Sequence, residues 1–240
     1  MIEIEHLSKR FGDLAAVDDL SLSIPAGQLF CFLGPNGAGK TTTIKLMCGL
    51  LKPSSGSIRI AGLSIFEDLV ELRRITGYIP DTPFLYERLT VTEFYLFTGD
   101  LYGLPRAAVE AGMDEAFAQF GLADHRAALI RDLSHGYRQR MIYAATLLHE
   151  PRVLFIDEPF VGLDPHSIRL IHDLLRRKVS EGVTIFLTTH ILAFAERLAD
   201  RIGIISGGRL VALGTLDELR MQSSVQGRLE DVFLSLTREG

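Results

Sequence analysis

The 240-residue sequence has no tryptophan, only two cysteines, no long hydrophobic run and no excess of basic residues. Cys31 and Cys48 lack CxxC spacing and sit among apolar neighbours, which excludes a disulfide scaffold and a thiolate metal site; they read as buried free thiols in a reducing compartment. The longest charge-free stretch, Leu20–Gly39, is broken by Pro25, Pro35, four glycines, Gln28 and Asn36. It therefore falls short of the roughly 18 continuous apolar residues that a spanning helix needs. The opening MIEIEHLSKR is acidic and has no apolar core, so no secretion leader is expected. With 25 Lys+Arg against 30 Asp+Glu, a net charge of -5 argues against a non-specific nucleic-acid binder, and no nucleic-acid partner is expected. Disorder is excluded as well, because 47% of residues are hydrophobic and only 23% charged.

What is present is apolar material in short, patterned pieces. No Pro/Ser-rich linker, repeat or heptad divides the chain, and at this size about 70% of the unfolded surface is buried on folding, enough for one large core. Near the N-terminus Ile2 and Ile4, then Leu20, Leu22 and Ile24, then Ile58 and Ile60 alternate with polar residues, as half-buried antiparallel strands do. Leu29–Leu33, Val153–Ile156, Thr184–Leu187 and Ile202–Ile205 are continuous apolar runs, the mark of strands buried on both faces. Helical patterns over Ser167–Val179 and Ile191–Leu198 alternate with them, which predicts a parallel α/β sheet. Between about Thr90 and Leu148 the pattern is helical throughout (Glu93–Leu101, Arg106–Phe120 and Tyr137–Leu148), an insertion into that sheet. Leu229–Leu236 closes the chain with apolar residues at helical spacing.

Gly34-Pro35-Asn36-Gly37-Ala38-Gly39-Lys40-Thr41-Thr42 fits G-x-x-x-x-G-K-[ST], and it joins a buried strand to a helix, the context this motif requires. Its glycines let backbone N–H groups converge on an anion at a helix N-terminus. Lys40 is suited to reach the β- and γ-phosphates of a nucleotide and Thr41 to ligate Mg²⁺. The bare pattern arises by chance in about one chain of this length per hundred, and the flanking strand and helix make an ordinary glycine turn rarer still. Asp157 and Glu158 end the Val153–Ile156 strand. Two adjacent carboxylates there are costly unless a cation or water meets them, so Asp157 is a candidate Mg²⁺ ligand and Glu158 a candidate for polarising the attacking water.

Leu133-Ser134-His135-Gly136-Tyr137-Arg138-Gln139-Arg140 opens a helix with Ser134 as a suitable N-cap, and taken alone it is only a helix start. In this order with the preceding motifs, the chain resembles the ATP-binding-cassette (ABC) ATPases, whose signature is LSGGQ followed by a QR pair. The resemblance implies an α/β P-loop NTPase with a mainly parallel sheet, an N-terminal antiparallel β-subdomain and an inserted helical subdomain. The expected limits are 1–216 for the ATPase domain, about 84–148 for the insertion, and 217–240 for a short C-terminal helical extension. It also implies ATP and Mg²⁺ as cofactors and a head-to-tail sandwich with a second cassette, identical or paralogous, in which Ser134 and Gly136 contact the other subunit's γ-phosphate. Phe11 matches the aromatic that stacks on adenine. Asp164, in Gly162-Leu163-Asp164-Pro165, matches the D-loop that helps build the opposite site, and His190 the switch histidine at the γ-phosphate. The remaining histidines show no metal-ligand spacing and read as surface or capping groups.

Three positions depart from the family pattern. Asp81 stands where Gln usually meets Mg²⁺, His135 replaces the first signature glycine, and Val161 replaces a D-loop serine. None removes Lys40, Asp157, Glu158 or His190, so an active ATP hydrolase is expected. The leading expectation is the ATPase subunit of an ABC transporter, peripheral on the cytoplasmic membrane face and driven into dimers by ATP. It would act through a separate integral permease docked near Asp81–Leu89, where Phe84, Leu85 and Tyr86 cluster. The tail LEDVFLSLT resembles cassettes of two-component exporters. A soluble cassette outside transport, as in iron–sulfur cluster assembly, and a nucleotide-dependent regulatory module stay open; substrate and direction are not written in the sequence.

Overall fold

β1 (Ile2–Phe11) and β2 (Leu14–Ile24) pair antiparallel with Ile2 opposite Ile24 and Ile4 opposite Leu22, so the alternating isoleucines and leucines share one buried face. The computed structural model describes residues 1–223 and 227–237. The continuous run Leu29–Leu33 is β3, buried at every position, and it leaves this layer for a second sheet. After α1 (Lys40–Met47), β4 (Ser55–Ile60) and β5 (Leu63–Ser64) return to complete the first sheet in the order β2-β1-β4-β5.

The second sheet holds the other apolar runs. α2 (Leu69–Ile75) leads into β6 (Thr76–Ile79), and β7 (Val153–Asp157), β8 (Thr184–Thr189), β9 (Arg201–Ser206) and β10 (Arg209–Gly214) follow. The order is β10-β9-β3-β8-β7-β6, parallel from β9 to β6 with β10 antiparallel at one edge. Because side chains alternate along a strand, Phe30, Phe32, Phe155 and Phe186 face the antiparallel layer. Leu29, Cys31, Leu33, Ile156 and Leu187 face the helices. The Phe186 ring lies 5.4 Å from both Phe30 and Phe32, and each such pair adds about 1 kcal/mol beyond its buried area. Both cysteines are free thiols, and burial pushes each well above the ordinary thiol range.

The expected insertion comprises α3 (Val91–Leu101), α4 (Arg106–Phe120) and α5 (His135–Leu147), threaded between β6 and β7. Thr90 and Glu93 form a reciprocal capping box that fixes where α3 begins. α5 starts two residues before the expected Tyr137 because the Ser134 side chain accepts the Tyr137 N–H. α6 (Pro165–Ser180) likewise starts before Ser167, with Asp164 as its cap and Pro165 in a first turn that needs no donor. α7 (Leu192–Leu198), α8 (Leu216–Ser223) and α9 (Leu229–Thr237) follow. Of the expected 217–240 extension, residues 224–226 and 238–240 lie outside the described residues. In the rest, Leu219, Leu229 and Val232 are fully buried in the main core. Among the described residues no helix is long and apolar enough to cross a membrane.

Candidate nucleotide site

The register of the parallel sheet decides where the motifs meet. Leu33 of β3 pairs with Thr189 of β8, and Thr188 pairs with Asp157 of β7. The residues that follow these strands (the Gly34–Gly39 loop, Glu158 and His190) therefore emerge together at the carboxyl edge of the sheet, where open α/β sheets bind ligands. Gly37 and Gly39 have φ of 81° and 108°, a region that favours glycine, and a Cβ on Gly39 would press into the Ala16 carbonyl. That close approach seats the start of α1 against β2.

Lys40 is 6% exposed, and its ammonium donates to the Gly34 carbonyl at 2.8 Å and the Pro35 carbonyl at 3.2 Å. It also lies 3.6 Å from Glu158 Oε1. Glu158 itself has φ 48°, a left-handed conformation costing ~1 kcal/mol. Its own N–H donates to the Thr188 carbonyl at 3.1 Å, which stabilises that turn. The reversal at the end of β7 aims the carboxylate at Lys40 on one side and at His190 Nδ1, 2.9 Å away, on the other. The His190 backbone N–H also donates to Glu158 Oε2, at 3.2 Å. An ionised carboxylate only accepts, so Nδ1 is the nitrogen carrying the proton toward it, leaving Nε2 free of that bond. Asp157 is 1% exposed and accepts the Thr188 hydroxyl.

A cleft of about 550 Å³ opens over Lys40 and Glu158, with Phe11, Asn36, Thr41 and Asp81 also lining it, whereas His190 and Asp157 are not among its lining residues. Thr42, Gly37 and Gly39 also contribute, whereas Gly34 and Ala38 are buried beneath the loop and Pro35 is exposed beside them. Phe11, 49% exposed, has the Lys9 ammonium 4.9 Å from its ring centroid. Ser134, Gly136 and Asp164 are not part of this lining. They sit with one another at the N-termini of α5 and α6, where a Cβ on Gly136 would come 3.1 Å from Asp164 Oδ2. Asp164 Oδ1 accepts the N–H groups of His166 and Ser167, and its Oδ2 accepts the Ser167 hydroxyl at 2.5 Å. The Ser167 hydroxyl and N–H, followed by the other donors, hold the Asp164 carboxyl down at about 2. Sequence reading missed three supports of these residues. Thr188 holds Asp157, Lys9 backs Phe11, and Ser167 bonds Asp164; Lys9 and Ser167 lay inside segments already read, the opening MIEIEHLSKR and the Ser167–Val179 helical pattern, but neither pattern names a partner.

Comparison with known proteins returns one consistent answer. Residues 17–161 match the family model described as ABC transporter. This chain belongs to the ABC transporter family. The family's ATP-binding proteins are its relatives along the full length. The probable multidrug ABC transporter ATP-binding protein YbhF of Escherichia coli (strain K12) is 38% identical over the whole chain, which spans only 42% of that protein. The daunorubicin/doxorubicin resistance ATP-binding protein of Streptomyces peucetius is 40% identical over 91% of this chain and 66% of its own length. The bacitracin transport ATP-binding protein of Bacillus licheniformis is 37% identical over 93% of this chain and 72% of its own. A solved ATP-binding subunit of an ABC transporter superposes with a TM-score of 0.92 at 35% identity, covering 98% of this chain and 99% of that one. The expected α/β P-loop architecture, antiparallel layer and helical insertion are those of the family's ATP-binding component.

Proposed function

We propose that this chain binds and hydrolyses Mg²⁺-ATP and that the nucleotide, by closing two cassettes face to face, drives export through a separate membrane permease. The observation that carries the reading is the Lys40–Glu158–His190 constellation at the carboxyl edge of the sheet, 3.6 and 2.9 Å across its two contacts, whose Lys40 and Glu158 line a cleft that Phe11 also lines. Backbone N–H groups of residues 37–41 and the Lys40 ammonium suit a triphosphate, and Phe11 suits the base. Glu158 is placed to orient and deprotonate water, and His190 to meet the γ-phosphate.

The oxygen donors also suit Mg²⁺. Among the described residues no cluster of three His, Cys, Asp or Glu side chains forms a metal cage. Magnesium, however, needs only one or two protein ligands when phosphates and waters supply the rest. Thr41 and Asp81 face the cleft, and Asp157 lies beneath it with one oxygen held by Thr188. Bound there, Mg²⁺ would neutralise charge developing on the phosphate oxygens. Asp81 carries a charge where Gln would be neutral, and a charge strengthens attraction to the cation wherever the shorter side chain reaches it.

Ser134, Gly136 and Asp164 lie outside the cleft of their own chain, which fits the expectation that they complete the site of a second cassette. For the permease, one exposed aromatic cluster supports the docking expected around Asp81–Leu89. Phe84 is 88% exposed, an unusual position for phenylalanine, and Tyr86 packs edge-on between Phe84 and Phe97. A separate groove of about 690 Å³, lined by none of Asp81–Leu89, presents Leu50, Val70, Leu101 and Tyr102 beside Arg73 and Arg74, a mixture suited to an amphipathic segment. The names of the relatives, which refer to drug resistance and bacitracin transport, support export of a drug or antibiotic.

The purified chain is expected to release phosphate from ATP only with a divalent cation present, and to bring an integral protein with it from detergent-solubilised membranes. Phe84→Asp should abolish that co-purification while leaving phosphate release unchanged; co-purification that survives the substitution would rule out this surface. Phe11→Ala removes a base-stacking ring, worth about 1–3 kcal/mol, so the KM for ATP should rise about tenfold with kcat nearly constant. An unchanged KM would remove Phe11 from the base site.

A further inference from the structure

The signature helix α5 and the D-loop helix α6 carry the surface that, on the reading proposed above, one cassette offers to the nucleotide of the other. Their N-termini touch, and the contact is built around a buried charge. Arg140 of α5 is 7% exposed, yet no carboxylate lies within ion-pair range of its guanidinium among the described residues. Its Nε and Nη2 instead donate to the Ser167 hydroxyl oxygen of α6, at 3.2 and 2.8 Å, while the Tyr137 ring lies 5.0 Å from the guanidinium carbon. Ser167, fully buried, donates its own O–H to Asp164 Oδ2. A hydroxyl therefore stands between a buried cation and a carboxylate that already caps α6. A buried guanidinium is unfavourable without such a partner, so breaking the bridge at either end leaves an uncompensated group.

Two further contacts run beside this bridge. Gly136 abuts it so closely that a Cβ would come 3.1 Å from Asp164 Oδ2 and 3.2 Å from Ser167 Oγ. His135 Nε2 lies 3.3 Å from the Val161 carbonyl. A carbonyl only accepts, so Nε2 carries the proton and donates. His135 and Val161, both departures from the family pattern, are thus partners of one another: the histidine replaces a glycine and bonds a backbone atom, a contact that needs no D-loop hydroxyl.

We propose that Arg140, Ser167 and His135 are positioning residues that clasp the signature helix to the D-loop, so that the half-site offered to a second cassette moves as one rigid piece. None of them reaches the cleft of its own chain, so their effect falls on the site in which this surface is the second half. This rests on the sandwich reading, and the two can fail separately.

Ser167→Ala is expected to leave the KM for ATP within about twofold and to lower kcat about 10- to 100-fold, the penalty of a misplaced group in an otherwise intact site. A merely destabilising substitution would not respond to mixing. In a mixed dimer of Ser167→Ala and Glu158→Gln chains, one site joins an intact Glu158 to an intact clasp, so phosphate release should recover above that of either variant alone. A mixed dimer of wild type with a chain carrying both substitutions holds no such site, so adding that chain to wild type should give no release beyond that of the wild-type dimers remaining. Should Ser167→Ala fail to fold, Arg140→Met, which removes the buried charge and keeps its length, should show the same loss and the same recovery. An unchanged kcat, or a lowered kcat that mixing does not restore, overturns the clasp. A Glu158→Gln chain that stays monomeric with ATP overturns the sandwich reading and the clasp with it, whereas one that dimerises beside a fully active Ser167→Ala chain overturns the clasp alone.

Discussion

Glu158→Gln is expected to lower phosphate release by about 10²- to 10⁴-fold, the usual worth of a positioned general base, while ATP binding persists or tightens. The substitution keeps the size of the side chain and its ability to accept from the His190 N–H, so the left-handed turn at the end of β7 has no reason to change. What disappears is a negative charge 3.6 Å from the Lys40 ammonium. Without nucleotide, that charge is one of the partners holding Lys40, together with the Gly34 and Pro35 carbonyls. A γ-phosphate arriving at Lys40 competes with Glu158 for the same ammonium and is repelled by it. The amide removes both terms, so affinity should rise a few-fold as turnover collapses, and ATP should hold the protein as a dimer. Phosphate release and light scattering with ATP read the two effects separately. Equal turnover in mutant and wild type would exclude Glu158 as the base, and weaker ATP binding would contradict the competition for Lys40.

Much of that constellation was legible in the sequence, for a physical reason. Parallel strands buried on both faces must be continuous apolar runs, and whatever follows such a run must come out at the edge of the sheet. Leu29–Leu33, Val153–Ile156 and Thr184–Leu187 are such runs, so the residues after them had to converge. The elements missed are those without this signal. β10 is an edge strand with only Ala212 and Gly214 buried among its six residues, and α2 buries Leu72 alone. Side-chain partners distant in sequence were invisible too, since neither pattern nor propensity states that Arg140 faces Ser167 or that Thr188 bonds Asp157. His149, expected at the surface or on a cap, instead stacks on Tyr102 at 3.7 Å and donates from Nε2 to the Thr76 carbonyl, with burial lowering its basicity. Gly136 shows why motif and reason can differ. Resemblance assigns it to a phosphate, while in its own chain the absence of a side chain is what lets α5 approach Asp164.

Lys40→Ala should have the opposite signature to Glu158→Gln, removing binding and turnover together. An ammonium facing a triphosphate is a charge pair whose truncation costs about 3 kcal/mol, or roughly a 100-fold loss of affinity. The fold should tolerate the change, because the carbonyls of Gly34 and Pro35 belong to a loop whose middle residues are exposed and water can replace the lost donor. Glu158, 12% exposed at its side chain, loses its nearest cation but keeps the His190 ring and backbone N–H. Lys40→Arg is no rescue, since the planar guanidinium is wider than the ammonium and the lysine side chain already sits 7% exposed under the loop. Titration with a fluorescent ATP analogue, alongside thermal melting, separates loss of the phosphate contact from loss of the fold. Affinity within about threefold of wild type, below ~1 kcal/mol, would mean that the backbone N–H groups of the loop bind the nucleotide without Lys40. The ammonium's role would then be confined to holding Glu158 in the nucleotide-free state.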